Sequence, residues 1–341
     1  MLDKGVIMGK VTIKDIAREA GVSISTVSNA LNGVSVVKPE TRDYILEVAD
    51  RLNYIPDFNG RNLKAKSTKV LGLFVTSLKG PYFATLADIM FWECVKYGYE
   101  LTIFITWNER SAINSILGKR VDGCVILSSD VDDEGAKRIL ELEYPTVFID
   151  RELKSEKVSS IIFDSYKDGV TVAEHFIRKG VKKPMLITGV RGNYDSKERS
   201  RGFIERLEKE GIVIPEDYIL DGEFNTDETY VVMDKFLQTG KPLPEAIFGT
   251  NDLSAIGAIN ALKDNGYSVP EDVIVMGVDD IDMCEYLNPT LSTIRTGFEK
   301  QGSLAVRKLV KMINGEETGD IYKLHGQLVE RESTNKDYNQ K

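Results

Sequence analysis

Hydrophobic positions change their spacing along the 341-residue chain, and the change marks two kinds of structure. Near the start they recur at helical intervals: Ile13, Ile16, Ala17 and Ala20 fall at i, i+3, i+4 and i+7, and Ile45, Val48, Ala49 and Leu52 repeat that spacing. Between these segments lies "GVSISTVSNALNG", Gly21 to Gly33. It predicts a tight turn and a short helix capped by Ser23, with Val27, Ala30 and Leu31 on one side and Ser25, Ser28 and Asn29 on the other. Thr12 and Asp15 make a capping pair before the first helix, and Pro39 suits the first position of the third, although Lys38 is a poor cap. Three such helices close one small core and leave a face of short hydrogen-bonding side chains, suited to base edges.

From Val70 onward the pattern becomes continuous apolar runs separated by amphipathic segments. The first series is "VLGLFV", "YFATLADIMFWECVKYG", "ELTIFI", "VDGCVIL", a helix from Glu134 and "TVFID". The second is "SIIF", a helix through His175, "PMLIT", "SKERSRGFIERLEKEG", "YILDGEF", "EAIFG", "NDLSAIGAINALKDNG" and "VIVMGVDD". Strands alternating with helices predict parallel sheets covered on both faces, and two series predict two lobes. Ligands in wound sheets sit at the carboxyl ends of strands, which here carry Ser129, Asp150 and Arg151, Asn251 and Asp252, and Asp279 and Asp280.

Charge divides along the same line. Residues 1–69 hold 11 Lys and Arg against 8 Asp and Glu, a net of +3, whereas the rest holds 33 against 45, a net of −12. A basic head on an acidic body implies that only the head meets phosphate. Three widely separated cysteines argue against a disulfide framework and fit a reducing cytosol. The two histidines, His175 and His325, have no neighbours at metal-ligand spacing, so no metal site and no cofactor are predicted. No apolar run reaches membrane-spanning length and "MLDKGVIMGKVTIKD" has no signal-peptide core, which predicts a cytoplasmic protein without a membrane partner. Lys4 to Ile7 before Met8 reads as a purine-rich ribosome-binding site translated as codons; translation from Met8 and a short tail from Met1 give different intact masses.

The stretch "VTIKDIAREAGVSISTVSNALNG…VKPETRDYILEVADRLNYIP" resembles the DNA-binding head of the lactose-repressor (LacI/GalR) family of bacterial transcription regulators, and the likeness continues to "LVERES" near the end. It implies an N-terminal all-α helix-turn-helix head on an α/β two-lobed core like periplasmic sugar-binding proteins. It also implies a homodimer whose two heads read a palindromic double-stranded operator. The domains implied are a head at 10–57, a hinge at 58–69 and an effector-binding and dimerisation core at 70–341. Lobe one takes about 70–163 and 295–324, and lobe two about 164–294 and 325–333.

Carried over residue by residue, base reading falls on Ile24, Ser25 and Asn29, within a DNA-contacting set of Thr12, Ser23, Thr26, Ser28, Asn32, Tyr54, Arg61, Leu63 and Lys64. The helical wheel supports Ser25 and Asn29, whereas Ile24 sits at the edge of the apolar stripe and reads equally as core. Many relatives carry Arg at Asn29; an Asn amide matches adenine where a guanidinium matches guanine. By composition "DFNGRNLKAKST" is a linker, while the resemblance implies a hinge helix that folds in the minor groove with Leu63 as a wedge. The effector set implied is Tyr82, Phe83, Ser129, Asp150, Arg151, Arg199, Phe224, Asn251 and Asp279. Carboxylate, amide, guanidinium and aromatic face together suit a sugar or sugar derivative.

Two departures stand out. "TWNERSAINSILGKR" is shorter than the family's usual stretch, so the second helix of lobe one is expected to be short, and no leucine heptads follow Arg331 to make a tetramer. Other readings weighed are an enzyme, a secreted sugar-binding protein, and a global carbon regulator docking a phosphocarrier protein. The chain has no nucleotide loop of Walker type and few histidines for acid–base work, and a secreted binding protein has no use for the head. The residues leave open whether the effector induces or corepresses.

Overall fold

The computed structural model describes residues 11–31, 34–54, 67–106, 109–118, 120–127, 131–149 and 151–335. The chain divides into two units, Met1–Ser67 and Thr68–Lys341. In the first, α1 (Ile13–Ala20), α2 (Ile24–Leu31) and α3 (Pro39–Arg51) surround a core of Ile16, Ala17, Val27, Ala30, Ile45, Val48 and Ala49. Of the predicted apolar positions, these seven are buried, and Ile13, Ala20, Leu31 and Leu52 are half-buried against them. The backbone amide of Thr12 donates to Asp15 Oδ2 at 3.0 Å, which fixes the start of α1, and Gly21 ends it in the left-handed region at φ 68°. An ion pair of 2.8 Å joins Arg51 on α3 to Glu19 on α1.

The second unit contains two parallel sheets. β1 (Val70–Val75), α4 (Pro81–Lys96), β2 (Glu100–Ile105), α5 (Glu109–Leu117), β3 (Gly123–Leu127), α6 (Asp133–Glu141), β4 (Thr146–Phe148) and β5 (Val158–Phe163) build the first lobe. The chain then passes to the second lobe through α7 (Ser165–Arg178), β6 (Pro184–Thr188), α8 (Tyr194–Glu208), β7 (Ile219–Asp221) and α9 (Thr226–Gln238). β8 (Ala246–Gly249), α10 (Asp252–Asp264), β9 (Ile274–Met276) and β10 (Thr293–Arg295) complete that passage. It returns for α11 (Phe298–Asn314) and β11 (Ile321–Leu324), and crosses once more to β12 (Gln327–Val329). Strand order is β11-β5-β4-β3-β1-β2 in one sheet and β7-β6-β8-β9 in the other, with β10 and β12 as an antiparallel pair.

Continuous apolar runs became strands buried on both faces, as in β1 and β5, because helices cover each side of a parallel sheet. β2 differs: it is a sheet edge and four of its six residues are exposed. The helix after it, α5, has nine residues, in keeping with the shortened sequence there. The buried Gln301 of α11 donates from Nε2 to the Ile161 carbonyl at 3.0 Å and accepts from the Tyr82 hydroxyl at 2.8 Å, tying α11, β5 and α4 together. No helix among the described residues is long and apolar enough to cross a membrane.

Candidate functional site

Two regions gather the polar residues singled out from the sequence, one in each unit. In the first unit, Ser23 Oγ accepts from the Thr26 amide at 3.1 Å and so caps α2. The same oxygen lies 2.7 Å from Ser25 Oγ and 2.8 Å from Thr26 Oγ1, which makes a small hydroxyl cluster at the helix start. Val27 and Ala30 turn inward from there. Ile24 is 47% exposed and outside the core, which removes its reading as a core residue.

Ser25 is exposed, while Ser28 and Asn29 are half-buried on the flanks of the same helix. Thr12 caps α1, its hydroxyl donating to Asp15 Oδ2 at 2.7 Å, and half-buried Tyr54 packs against the helical core. Asn32, Arg61, Leu63 and Lys64 lie outside the described residues, as does the Met8 start. A protruding row of hydroxyls can donate and accept, the capacity that base edges and phosphates demand.

The second region centres on Arg199 of α8, only 3% exposed. Its backbone is fixed by a close helix crossing: a Cβ on Gly169 would stand 2.0 Å from the Arg199 carbonyl oxygen, and one on Gly202 would stand 2.0 Å from that of Tyr166. Only glycine lets α7 and α8 approach so far. The guanidinium donates from one terminal nitrogen to the Thr250 carbonyl at 2.8 Å and from the other to Asp279 Oδ1 at 3.4 Å; its buried Nε has no partner among the described residues.

Asp279 and Asp280 follow β9 with φ of 125° and 60°, a backbone that side-chain-bearing residues rarely adopt and that the surrounding structure must hold in place. Asn251 caps α10 through Oδ1, which accepts from the Ser254 amide at 2.8 Å, and its Nδ2 donates to the Phe224 carbonyl at 3.3 Å. Phe224, at φ 57°, lays its ring where a side chain on Gly189 would be. Arg199, Asp279, Asn251 and Phe224 are thus linked through one strip of backbone.

Burial alone would lower the Arg199 pKa, but the carboxylates of Asp279, Asp195, Asp168 and Asp252 outweigh it and raise it. Burial also raises Asp279, against the pull of Arg199. Asp168 is 2% exposed with one carboxylate oxygen unpartnered, and burial pushes its pKa up to about 6 despite Arg199. Asp252 takes a structural part: its carboxylate accepts from Thr293 Oγ1 at 2.6 Å, the Ile281 amide at 3.0 Å and Cys284 Sγ at 3.1 Å.

Lobe one presents Tyr82 and Phe83 at the start of α4. The Tyr82 hydroxyl donates to Gln301 and its ring stands edge-on to Phe298 at 4.8 Å, and both aromatics are half-buried against the lobe's core. Arg151 reaches Asp133 at 3.6 Å and lies over the Phe148 ring, not toward Glu152. Glu152 instead accepts from Lys323 at 2.8 Å and from the Tyr194 hydroxyl of lobe two at 2.7 Å, a bond between the lobes. Ser129 and Asp150 lie outside the described residues.

A cavity of about 560 Å³ opens where the lobes meet, lined by Pro81 and Thr85 from one and by Leu253, Asp279 and Met283 from the other, with Phe298 packing against both cores. Pattern reading had not reached Phe298, Met283 or Arg295. The run of acids and apolar residues after β9, "DDIDMCEYL", is the signal that could have found the cavity wall. Among the described residues no cluster of His, Cys, Asp and Glu is arranged to hold a metal ion.

Comparison with known proteins bears on both regions. A family model described as bacterial regulatory proteins, lacI family, matches residues 12–57, and one described as a periplasmic binding protein-like domain matches residues 173–334. The probable HTH-type transcriptional repressor ExuR of Bacillus subtilis (strain 168) is 32% identical over 311 residues, 90% of this chain and 93% of that protein. The HTH-type transcriptional repressor PurR of Pasteurella multocida (strain Pm70) is 32% identical over 94% of this chain and 98% of its own. Among solved structures, the lac repressor dimer bound to operator and the anti-inducer ONPF matches with a TM-score of 0.82 and 25% identity over 96% of this chain and 99% of that one. A complex of the transcriptional regulator CelR with cellobiose matches at 0.71 and 26%, covering 95% and 99%.

Proposed function

Because the chain belongs to the LacI family of bacterial regulatory proteins, we propose that it is a dimeric transcriptional repressor whose paired α2 helices read a palindromic operator, under control of a carbohydrate held between the lobes. The observation that carries this reading is the exposure of Ile24 and Ser25 on a helix whose opposite face, Val27 and Ala30, completes the head's core. Residues 10–57 act as the reading head, 58–69 as the hinge that places Leu63, Arg61 and Lys64 at the minor groove, and 70–341 as the effector-binding and dimerising body. Asn29 reads bases with Ile24 and Ser25, and Thr12, Ser23, Thr26, Ser28, Asn32 and Tyr54 support them at the bases and phosphates.

Dimerisation draws support from an apolar face on lobe one. Trp92 on α4 is 59% exposed and Ile105 on edge strand β2 is 58% exposed, with Phe91, Val95 and Ile103 beside them. An exposed apolar strand edge beside an apolar helix face favours association. In the cleft, Arg199, Asn251, Phe224 and Asp279, with Ser129, Asp150 and Arg151 from lobe one, hold hydroxyls and present an aromatic face to a sugar ring. The lac repressor and CelR complexes, with operator and with cellobiose, support the pairing of these two ligands.

Effector and operator act on one equilibrium, so each changes the affinity of the other by the same factor. The protein works in the cytoplasm and carries out no catalysis. The test is a selection from randomised palindromic duplexes, followed by fluorescence anisotropy with and without sugars. Recovery of one palindrome, with affinity changed by a sugar, is expected; a well-folded protein that retains no duplex at low salt refutes the reading.

A further inference from the structure

We propose that the effector is a hydroxyl-rich molecule without negative charge, an uncharged sugar or glycoside, and that the cleft rejects uronates and sugar phosphates. This rests on the carbohydrate reading of the same cleft and narrows it to a chemical class.

An anionic group needs a cation whose charge is not already answered, and bidentate recognition needs paired donors. Arg199 has both terminal nitrogens engaged, by the Thr250 carbonyl and by Asp279. Arg295 Nε lies 2.6 Å from Asp280, and Arg331 lies 2.8 Å from Asp280 and 3.1 Å from Glu285. Lys323 lies 2.8 Å from Glu152, and Arg151 lies 3.6 Å from Asp133. The cavity wall itself carries Asp279, Asp280, Asp282, Glu285 and Glu299 against one cation, Arg295, which Asp280 already answers.

Behind that wall, Asp279, Asp195, Asp168 and Asp252 all act on the buried guanidinium of Arg199. Among the described residues, one carboxylate oxygen of Asp168 and the Nε–H of Arg199 have no hydrogen-bond partner. A further anion would add like charge to a low-dielectric site that already holds an excess of it. Sugar hydroxyls suit such a wall, because they donate to its carboxylate oxygens.

The experiment compares matched pairs on the full-length protein at constant ionic strength: D-glucose with D-glucuronate and glucose 6-phosphate, D-galactose with D-galacturonate, and cellobiose with cellobionate. Thermal shift ranks them and calorimetry gives the affinity of those that bind. An uncharged member is expected to raise the melting temperature at concentrations at least tenfold below its anionic counterpart. A uronate, aldonate or phosphate that acts at lower concentration than its parent overturns the proposal. If neither arm stabilises the protein, the carbohydrate reading itself fails. In Asp279→Asn the preference for the uncharged partner should narrow at least threefold, and Asp168→Asn provides the same comparison should the first variant fold poorly. An unchanged ratio in a folded variant also counts against the proposal.

Discussion

Asp168 on α7 sets a cost that depends on pH and can be isolated by one substitution. Burial pushes its carboxyl from an ordinary 3.8 to about 6, although Arg199 pulls the other way and Asp195 and Asp164 add to the rise. Between those values the native state holds a proton that the unfolded chain has lost. The contribution to stability is therefore fully present below 3.8 and is lost as pH rises through about 6. At 1.36 kcal/mol per pH unit this interval amounts to about 3 kcal/mol. Asp168→Asn removes the titration and can keep the carbonyl-type oxygen that faces Gly326.

Packing and amide desolvation in that variant do not change with pH, so they drop out of a comparison across pH. Urea unfolding of the full chain from pH 4 to 7.5 should show the variant gaining about 2 to 3 kcal/mol on the parent as pH rises. His175 works in the opposite sense. Burial pushes it down to about 4 from 6.5, so its contribution is present above 6.5 and is lost as pH falls through about 4. The two contributions oppose each other over this range, so His175→Phe should make the parent's stability fall more steeply as pH rises. A stability difference for Asp168→Asn that is independent of pH, or that grows toward acid, refutes the reasoning.

Four further outcomes are expected. Asn29→Arg should shift base preference at one operator position from adenine toward guanine by about 1 to 3 kcal/mol, measured by selection from randomised half-sites. Leu63→Ala should weaken operator binding and leave sugar binding intact, while Arg199→Ala should do the reverse; equal loss of both activities in both variants, by anisotropy and calorimetry, would deny the division of labour. Gly202→Ala places a methyl group against the Tyr166 carbonyl and should cost about 1 to 3 kcal/mol or more, visible as a lower melting temperature despite alanine's better helix propensity. Trp92→Glu combined with Ile105→Lys should yield monomers in sedimentation and weaken operator affinity at least tenfold.

Much of the head was legible because local rules suffice there. The helical period, the Thr12 and Asp15 pair and the turn glycine each act within a few residues, and all three appear in α1. Ile24 could not be assigned in this way, since its exposure depends on where α3 lies against α2. In the body, apolar runs announced the six-residue strands β1 and β5, whereas β11 and β12 are four and three residues long and are defined by pairing with β5 and β10. The site divides likewise. Strand ends pointed to Asp279 and Asn251, but Asp168 reads as an ordinary charged helix residue. Its burial follows from Gly169 and Gly202 letting two helices touch, a relation no local pattern contains. Tyr82 was read as a ligand contact, yet Gln301, distant in sequence, takes its hydroxyl.

The three passages between the lobes have a consequence for synthesis. α11 covers the first sheet and β11 forms its edge, while β12 pairs with β10 and the buried Ser333 donates to the Val275 carbonyl of β9. During translation the head can collapse early, but both lobes wait for the last few dozen residues to leave the ribosome. A messenger cut short in that stretch yields a competent reader joined to a body that can neither pair nor sense. Such fragments would occupy half-sites only weakly, so loss of the final codons silences the regulator outright and does not leave it locked on its target.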